Sequence, residues 1–209
     1  MKRLMSMNIL SSLLNMWRNF FYLALTPYKT MRKISQETDY VQIILIFVLV
    51  YAYFIYANII RQKTFHPFII STSSGISFFL FIFTFLLSIG FFKSIAHIFK
   101  IYPSFKKLLF LSSYSILPTL IWFFATSTLY LLLPPPRTVS ILGQLFSFTF
   151  IVFSLTLLFW RAILLYLTLR FSYKAQFYTI VVSIFSFFAW FLPYSYLLYT
   201  LRFFRIPFL

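Results

Sequence analysis

Five apolar stretches, residues 40–60, 69–92, 108–133, 140–160 and 178–201, run without a single Asp, Glu, Lys or Arg. An α-helix rises about 1.5 Å per residue, so roughly 20 residues cross the ~30 Å hydrocarbon layer of a bilayer, and each stretch meets that length. Backbone amides and carbonyls in lipid have to be satisfied within the spanning segment, which makes each stretch a helix. The pattern predicts an all-α fold: a polytopic membrane bundle of five transmembrane helices in residues 40–209, preceded by a segment over residues 1–39. With 62% hydrophobic residues and a mean hydropathy of +0.92, too little polar sequence remains for a separate aqueous domain.

Charge then orients the bundle. Six basic residues precede the first span (Lys2, Arg3, Arg18, Lys29, Arg32, Lys33), four lie between the second and third (Lys93, Lys100, Lys106, Lys107) and three between the fourth and fifth (Arg161, Arg170, Lys174). The opposite side carries only Arg61, Lys63, Arg137, Arg202 and Arg205. The positive-inside rule therefore predicts a cytoplasmic N-terminus and an outer C-terminus. A net charge of +16 would point to nucleic acid in a soluble chain; beside apolar runs it points to anionic lipid headgroups instead.

Before the first span, Asn8, Ser11, Ser12, Asn15, Arg18 and Asn19 recur at helical spacing, with Ile9, Leu13, Met16, Trp17, Phe20 and Phe21 opposite them. This spacing predicts an amphipathic helix lying in the interface rather than a cleaved leader, because polar residues interrupt the apolar run and no small-residue cleavage site follows. Thr26 and Pro27 read as an N-cap and first helical position for a short basic helix through Ile34. The only two acids, Glu37 and Asp39, come just before the first span.

Polar residues inside the spans fall on stripes. The third span aligns Ser112, Ser115, Thr119 and Thr126, the fourth aligns Ser140, Gln144, Ser147, Ser154 and Arg161, and the fifth aligns Thr179, Ser183, Ser186 and Trp190. Close interhelical packing accounts for such stripes, and a lined path or lipid pocket is the alternative. The first span has almost no stripe and is expected to face lipid. Pro118 and Pro193 each remove a backbone hydrogen bond and predict kinks, freeing the carbonyls of Tyr114 and Ala189. Arg161 is expected to snorkel to the cytoplasmic face; set one turn deeper, it demands a partner or an anionic headgroup.

No chemistry for catalysis stands out. Cysteine is absent, His66 and His97 lack neighbouring ligands at metal spacing, and no nucleotide-binding loop or serine-nucleophile motif occurs. No cofactor or metal is expected, and the chain reads as non-enzymatic. Without a carboxylate in any span, ion-coupled transport is disfavoured. A membrane adaptor or organiser, using Arg18, Lys29, Arg32, Lys33, Lys106, Lys107, Arg161, Arg170 and Lys174 to bind anionic lipid or a protein partner, is the leading expectation. A small permease, or a membrane subunit of a transporter, is the alternative suggested by the stripes and the two prolines.

Several segments resemble the Yip family of five-span membrane proteins over about residues 27–201. They are Thr26-Pro27-Tyr28-Lys29-Thr30, Ser104-Phe105-Lys106-Lys107-Leu108-Leu109 leading to Tyr114-Ser115-Ile116-Leu117-Pro118, and Leu169-Arg170-Phe171-Ser172-Tyr173-Lys174-Ala175. The resemblance implies a five-helix domain; eukaryotic members act in vesicle traffic and bind Rab-type GTPases through cytoplasmic parts. This chain lacks that group's Asp-Leu-Tyr-Gly-Pro type of motif and has three glycines, Gly75, Gly90 and Gly143. Its short N-terminal segment is more similar to the prokaryotic members, which implies a prokaryotic cytoplasmic membrane.

Overall fold

A computed structural model describes residues 9–37, 39–61, 66–132 and 140–201. Every regular element among them is helical: α1 (Ile9–Leu25), α2 (Pro27–Ile34), α3 (Val41–Arg61), α4 (Pro67–Ile98), α5 (Phe105–Ser115), α6 (Leu117–Leu132), α7 (Ile141–Tyr173) and α8 (Phe177–Thr200). The candidate spans are α3, α4, α5 with α6, α7 and α8, five helices long and apolar enough to cross a bilayer. Lys2, Arg3, Asn8, Lys63, Arg137, Arg202 and Arg205 lie outside the described residues.

The third span forms the axis. Phe110 through Pro118 are buried without interruption, and α5 meets α2, α3, α4 and α7 while α6 meets α3 and α7. Helical order breaks at Ile116, two residues before Pro118; proline has no N–H for the preceding turn, and the chain restarts as α6 with Leu120 donating to the Ile116 carbonyl at 3.0 Å. Pro193 acts differently. It lies on an exposed face inside α8, which continues through it to Thr200.

The first span does not stand apart in lipid as its missing stripe suggested. Ile46, Val50 and Ala57 of α3 are buried, Tyr53 stacks on Phe123 at 4.7 Å, Tyr56 bonds Thr128 at 2.9 Å, and Asn58 donates to Ser74 at 3.0 Å. Aromatic and apolar packing does there what hydroxyl stripes do elsewhere, so the absence of a stripe carried no information about exposure.

α1 also departs from its predicted orientation. Its buried face is Ser12, Met16, Asn19, Phe20 and Leu23, which mixes the two faces drawn from periodicity, while Leu14, Trp17 and Phe21 are exposed. Thr26 makes no side-chain cap; its hydroxyl lies 3.4 Å from the Tyr22 carbonyl, closing α1 rather than opening α2. Pro27 does begin α2. Met16, Phe20 and Leu23 of α1, with Met31 and Ile34 of α2, enter one core with Ile43, Ile46, Leu111, Tyr114 and Leu164. Five buried apolar side chains, each worth about 1.5–3 kcal/mol relative to water, outweigh the partly exposed Lys33–Glu37 pair at 3.9 Å, of a kind worth about 0–1 kcal/mol near the surface.

A polar cluster locks this docking. Asn19 Nδ2 approaches Glu37 Oε2 at 3.2 Å, Tyr114 OH at 3.3 Å and Gln42 Oε1 at 3.4 Å. Gln42 Nε2 donates to Asp39 Oδ2 at 3.0 Å and Glu37 Oε2 at 3.3 Å, and Tyr114 OH donates to Gln42 Oε1. Asp39 Oδ1 also accepts the Val41 N–H at 3.1 Å, placing a negative charge at the start of α3 where the helix dipole favours it. Replacing Asn19 with Leu leaves buried Gln42 and Tyr114 short of a partner, so Asn19→Leu is expected to lower stability by about 1–3 kcal/mol. Unfolding curves in mixed micelles measure this, and the connection between α2 and α3 should become more protease-sensitive; unchanged curves and digestion patterns would remove the cluster from this role.

Candidate functional site

Two features gather the basic and polar residues singled out in the sequence. The first is a basic end of the bundle. α2 packs against α5 and α7, so exposed Lys29, Arg32 and Lys33 share that end with Lys106, Arg170 and Lys174. Half-buried Lys107 lies close enough to Lys174 for the two to repel. Arg170 Cζ stands 5.6 Å from the Tyr28 ring and its Nη1 is 3.3 Å from Tyr166 OH; Tyr28 in turn packs on Phe171 at 5.3 Å. This cation–π and ring contact ties α2 to the end of α7. Lys174 ends α7 in the left-handed conformation (φ 53°), projecting the chain into the short turn before α8. Arg18 lies exposed on α1 and donates to Asn15 at 2.8 Å.

The second feature is a cavity of about 350 Å³ among α4, the third span, α7 and α8. Thr84 and Ser88 of α4, Ser112, Ser115 and Thr119 of the third span, and Arg161 of α7 supply its polar lining. α8 contributes only apolar groups, Phe187, Phe188, Phe191 and Leu192. Two of the hydroxyls are bonded to their own helices, Ser88 to the Thr84 carbonyl at 2.8 Å and Ser115 to the Ser112 carbonyl at 2.7 Å, while Thr84 pairs with Tyr194 OH of α8 at 3.0 Å. Such back-bonding satisfies the donor and leaves oxygen lone pairs free to accept. The Thr119 hydroxyl is buried and has no hydrogen-bond partner among the described residues.

The stripes divide between packing and cavity. Ser154 accepts from Trp122 Nε1 at 2.9 Å, joining α6 to α7, Ser140 caps α7 by accepting from Gly143 N at 3.1 Å, and Ser147 bonds back to the Gly143 carbonyl. Gln144 is exposed, and neither it nor Ser147 lines the cavity. Ser183 bonds the Thr179 carbonyl, and Trp190 stacks on Phe91 at 4.8 Å. Thr84 and Ser88 were not singled out in the sequence; they lie four apart on one face of α4 inside a run rich in Phe, where nothing distinguishes a lining hydroxyl from a packing one.

No family model, curated protein or solved structure matches the chain.

A cavity tolerates added volume where a packed interior does not. Ser115→Leu, at the cavity wall, is expected to change stability by less than about 1 kcal/mol, whereas Ser113→Leu, at a fully buried position outside the cavity lining, is expected to cost about 1–3 kcal/mol. Equilibrium unfolding of the two variants side by side makes the comparison; equal losses would mean that the cavity does not persist in the folded protein.

Proposed function

We propose that this chain is a non-enzymatic, multi-pass membrane protein of the Yip type that organises anionic lipid, or docks an acidic partner, on its basic end. In this reading that end is cytoplasmic, the C-terminus lies outside, and the membrane is the cytoplasmic membrane of a prokaryote. The observation that carries the reading is the convergence of α2 with the ends of α5 and α7, which gathers Lys29, Arg32, Lys33, Lys106, Arg170 and Lys174 while both side-chain carboxylates of the chain are engaged in the Asn19–Gln42–Tyr114 cluster. A surface so unbalanced attracts anionic headgroups by roughly 1 kcal/mol per basic residue near the membrane, within a Debye length. Exposed Trp17 and Phe21 on α1 suit the interface between headgroups and acyl chains.

A permease draws less support. The cavity is polar on three of its sides, but α8 lines the fourth with aromatic and aliphatic groups, and the stripe residues Gln144 and Ser147 of α7 stay outside it.

The protein reconstituted in vesicles of mixed phosphatidylcholine and fluorescent phosphatidylglycerol should enrich the anionic lipid around itself, measured by energy transfer from its tryptophans or from an attached dye. Enrichment should fall between about 0.05 and 0.5 M salt, as the Debye length shortens, and should drop in the Lys29→Gln, Arg32→Gln, Lys33→Gln variant. Equal transfer to neutral and anionic lipid at low salt contradicts the reading.

A further inference from the structure

Arg161 poses a charge problem that the chain does not solve internally. It is half-buried and lines the cavity, and no hydrogen bond or ion pair to it is formed among the described residues. The chain has only two side-chain carboxylates. Glu37 is occupied by Lys33, Asn19 and Gln42, and Asp39 by Gln42 and the start of α3. A cation walled by low-dielectric groups is costly without a counter-charge. The counter-charge therefore comes from outside the chain.

Helix lengths say where that outside anion meets the site. Arg161 lies about 30 Å along α7 from Ile141, and Ser88 about 31 Å along α4 from Pro67, at 1.5 Å per residue. α3, with 21 residues in all, is about 31 Å long. These distances equal one hydrocarbon thickness, so a bilayer whose far boundary falls at Ile141 and Pro67 brings the Arg161 backbone to the acyl–headgroup boundary of the leaflet nearest the basic end. Leu158 of α7 with Phe188 and Leu192 of α8 line the cavity and are exposed as well. The mouth therefore opens between α7 and α8, toward lipid.

We infer that this cavity is a binding site for one anionic phospholipid, its headgroup phosphate paired with Arg161 and one acyl chain against the apolar wall of α8. Arg161 supplies a planar fork of donors matched to phosphate oxygens. Thr119, whose buried hydroxyl has no partner among the described residues, lines the same cavity and offers the lipid one further donor. A soluble anion satisfies the guanidinium but leaves the aromatic wall of α8 wet, and a zwitterionic lipid such as phosphatidylcholine fills the wall but brings a phosphate already accompanied by its own choline cation, so the net charge of the site stays unmet. Only a molecule with both parts satisfies both halves of the cavity. The inference is independent of the basic surface described above, from which Arg161 is separated.

The test uses the full chain, purified in neutral detergent and supplied with phosphatidylglycerol, phosphatidylcholine or inorganic phosphate at matched concentration. Thermal midpoints and bound lipid are read, the latter by native mass spectrometry. Phosphatidylglycerol is expected to raise the midpoint by several degrees more than phosphatidylcholine, and inorganic phosphate to raise it little. One phosphatidylglycerol should remain bound to the wild type and to the Lys29→Gln, Arg32→Gln, Lys33→Gln variant, and be lost from Arg161→Gln, with binding at least tenfold weaker. Ala162→Phe, which fills the lining and keeps Arg161, should lose it too, and decides the matter if Arg161→Gln does not fold. Equal stabilisation by the two lipids, or an effect of phosphate matching that of phosphatidylglycerol, overturns the inference. So does selectivity that survives both Arg161→Gln and Ala162→Phe.

Discussion

The scarcity of carboxylates governs this molecule. Two acids face eighteen Lys and Arg residues, and both acids are committed to a single junction, where Asn19, Gln42 and Tyr114 hold α1, α3 and α5 together. Negative charge is spent on architecture. Burying those groups is tolerable because each carboxylate accepts hydrogen bonds from amide donors, and the result is that a short amphipathic helix becomes part of the bundle's core instead of floating on the membrane. Every other basic group must find its counter-charge in headgroups, in a partner, or in solvent.

The third span translates this into a cavity. Its burial from Phe110 to Pro118 makes it the axis on which α3, α4 and α7 pack, and its break at Ile116 offsets α6 from α5 where the hydroxyls of Ser115 and Thr119 meet the cavity. A straight helix continues its ridges into its neighbours' grooves; a broken one cannot do so on both sides of the break. Toward the basic end, Phe92 and Phe187 stack at 4.6 Å, and Tyr173 OH donates to the Phe92 carbonyl at 2.6 Å, closing α4, α7 and α8 on one another below the cavity. The cavity is thus bounded by a tightly packed aromatic floor and opens to the side.

Much of the fold was legible in the sequence, because span length and the exclusion of charge are one-dimensional properties. The spans and the break near Pro118 follow from local rules about length and proline. What lay beyond reach depended on what faces what. The periodicity of α1 could sort its residues by polarity, yet Asn19 points into the protein because Glu37, Gln42 and Tyr114 meet it there, Ser12 is buried with no hydrogen-bond partner among the described residues, and Trp17 and Phe21 are exposed. The stripe-poor first span is packed on both sides by rings from α4 and α6, a complementarity that exists only between helices. Arg161 was recognisable as a charge of uncertain depth, but its meeting with Thr84, Ser88 and Thr119 required the third dimension.

In this charge scheme Glu37 and Asp39 stay at the α1–α3–α5 junction while a lipid neutralises Arg161. An electron-microscopy structure of the chain in nanodiscs containing phosphatidylglycerol tests it most directly. Headgroup density is expected against Arg161, continuing as a chain along Phe188 and Leu192, with both carboxylates still on Gln42. A structure in which Arg161 turns to pair with Glu37 or Asp39, or in which the cavity has closed around an unliganded guanidinium, would contradict it.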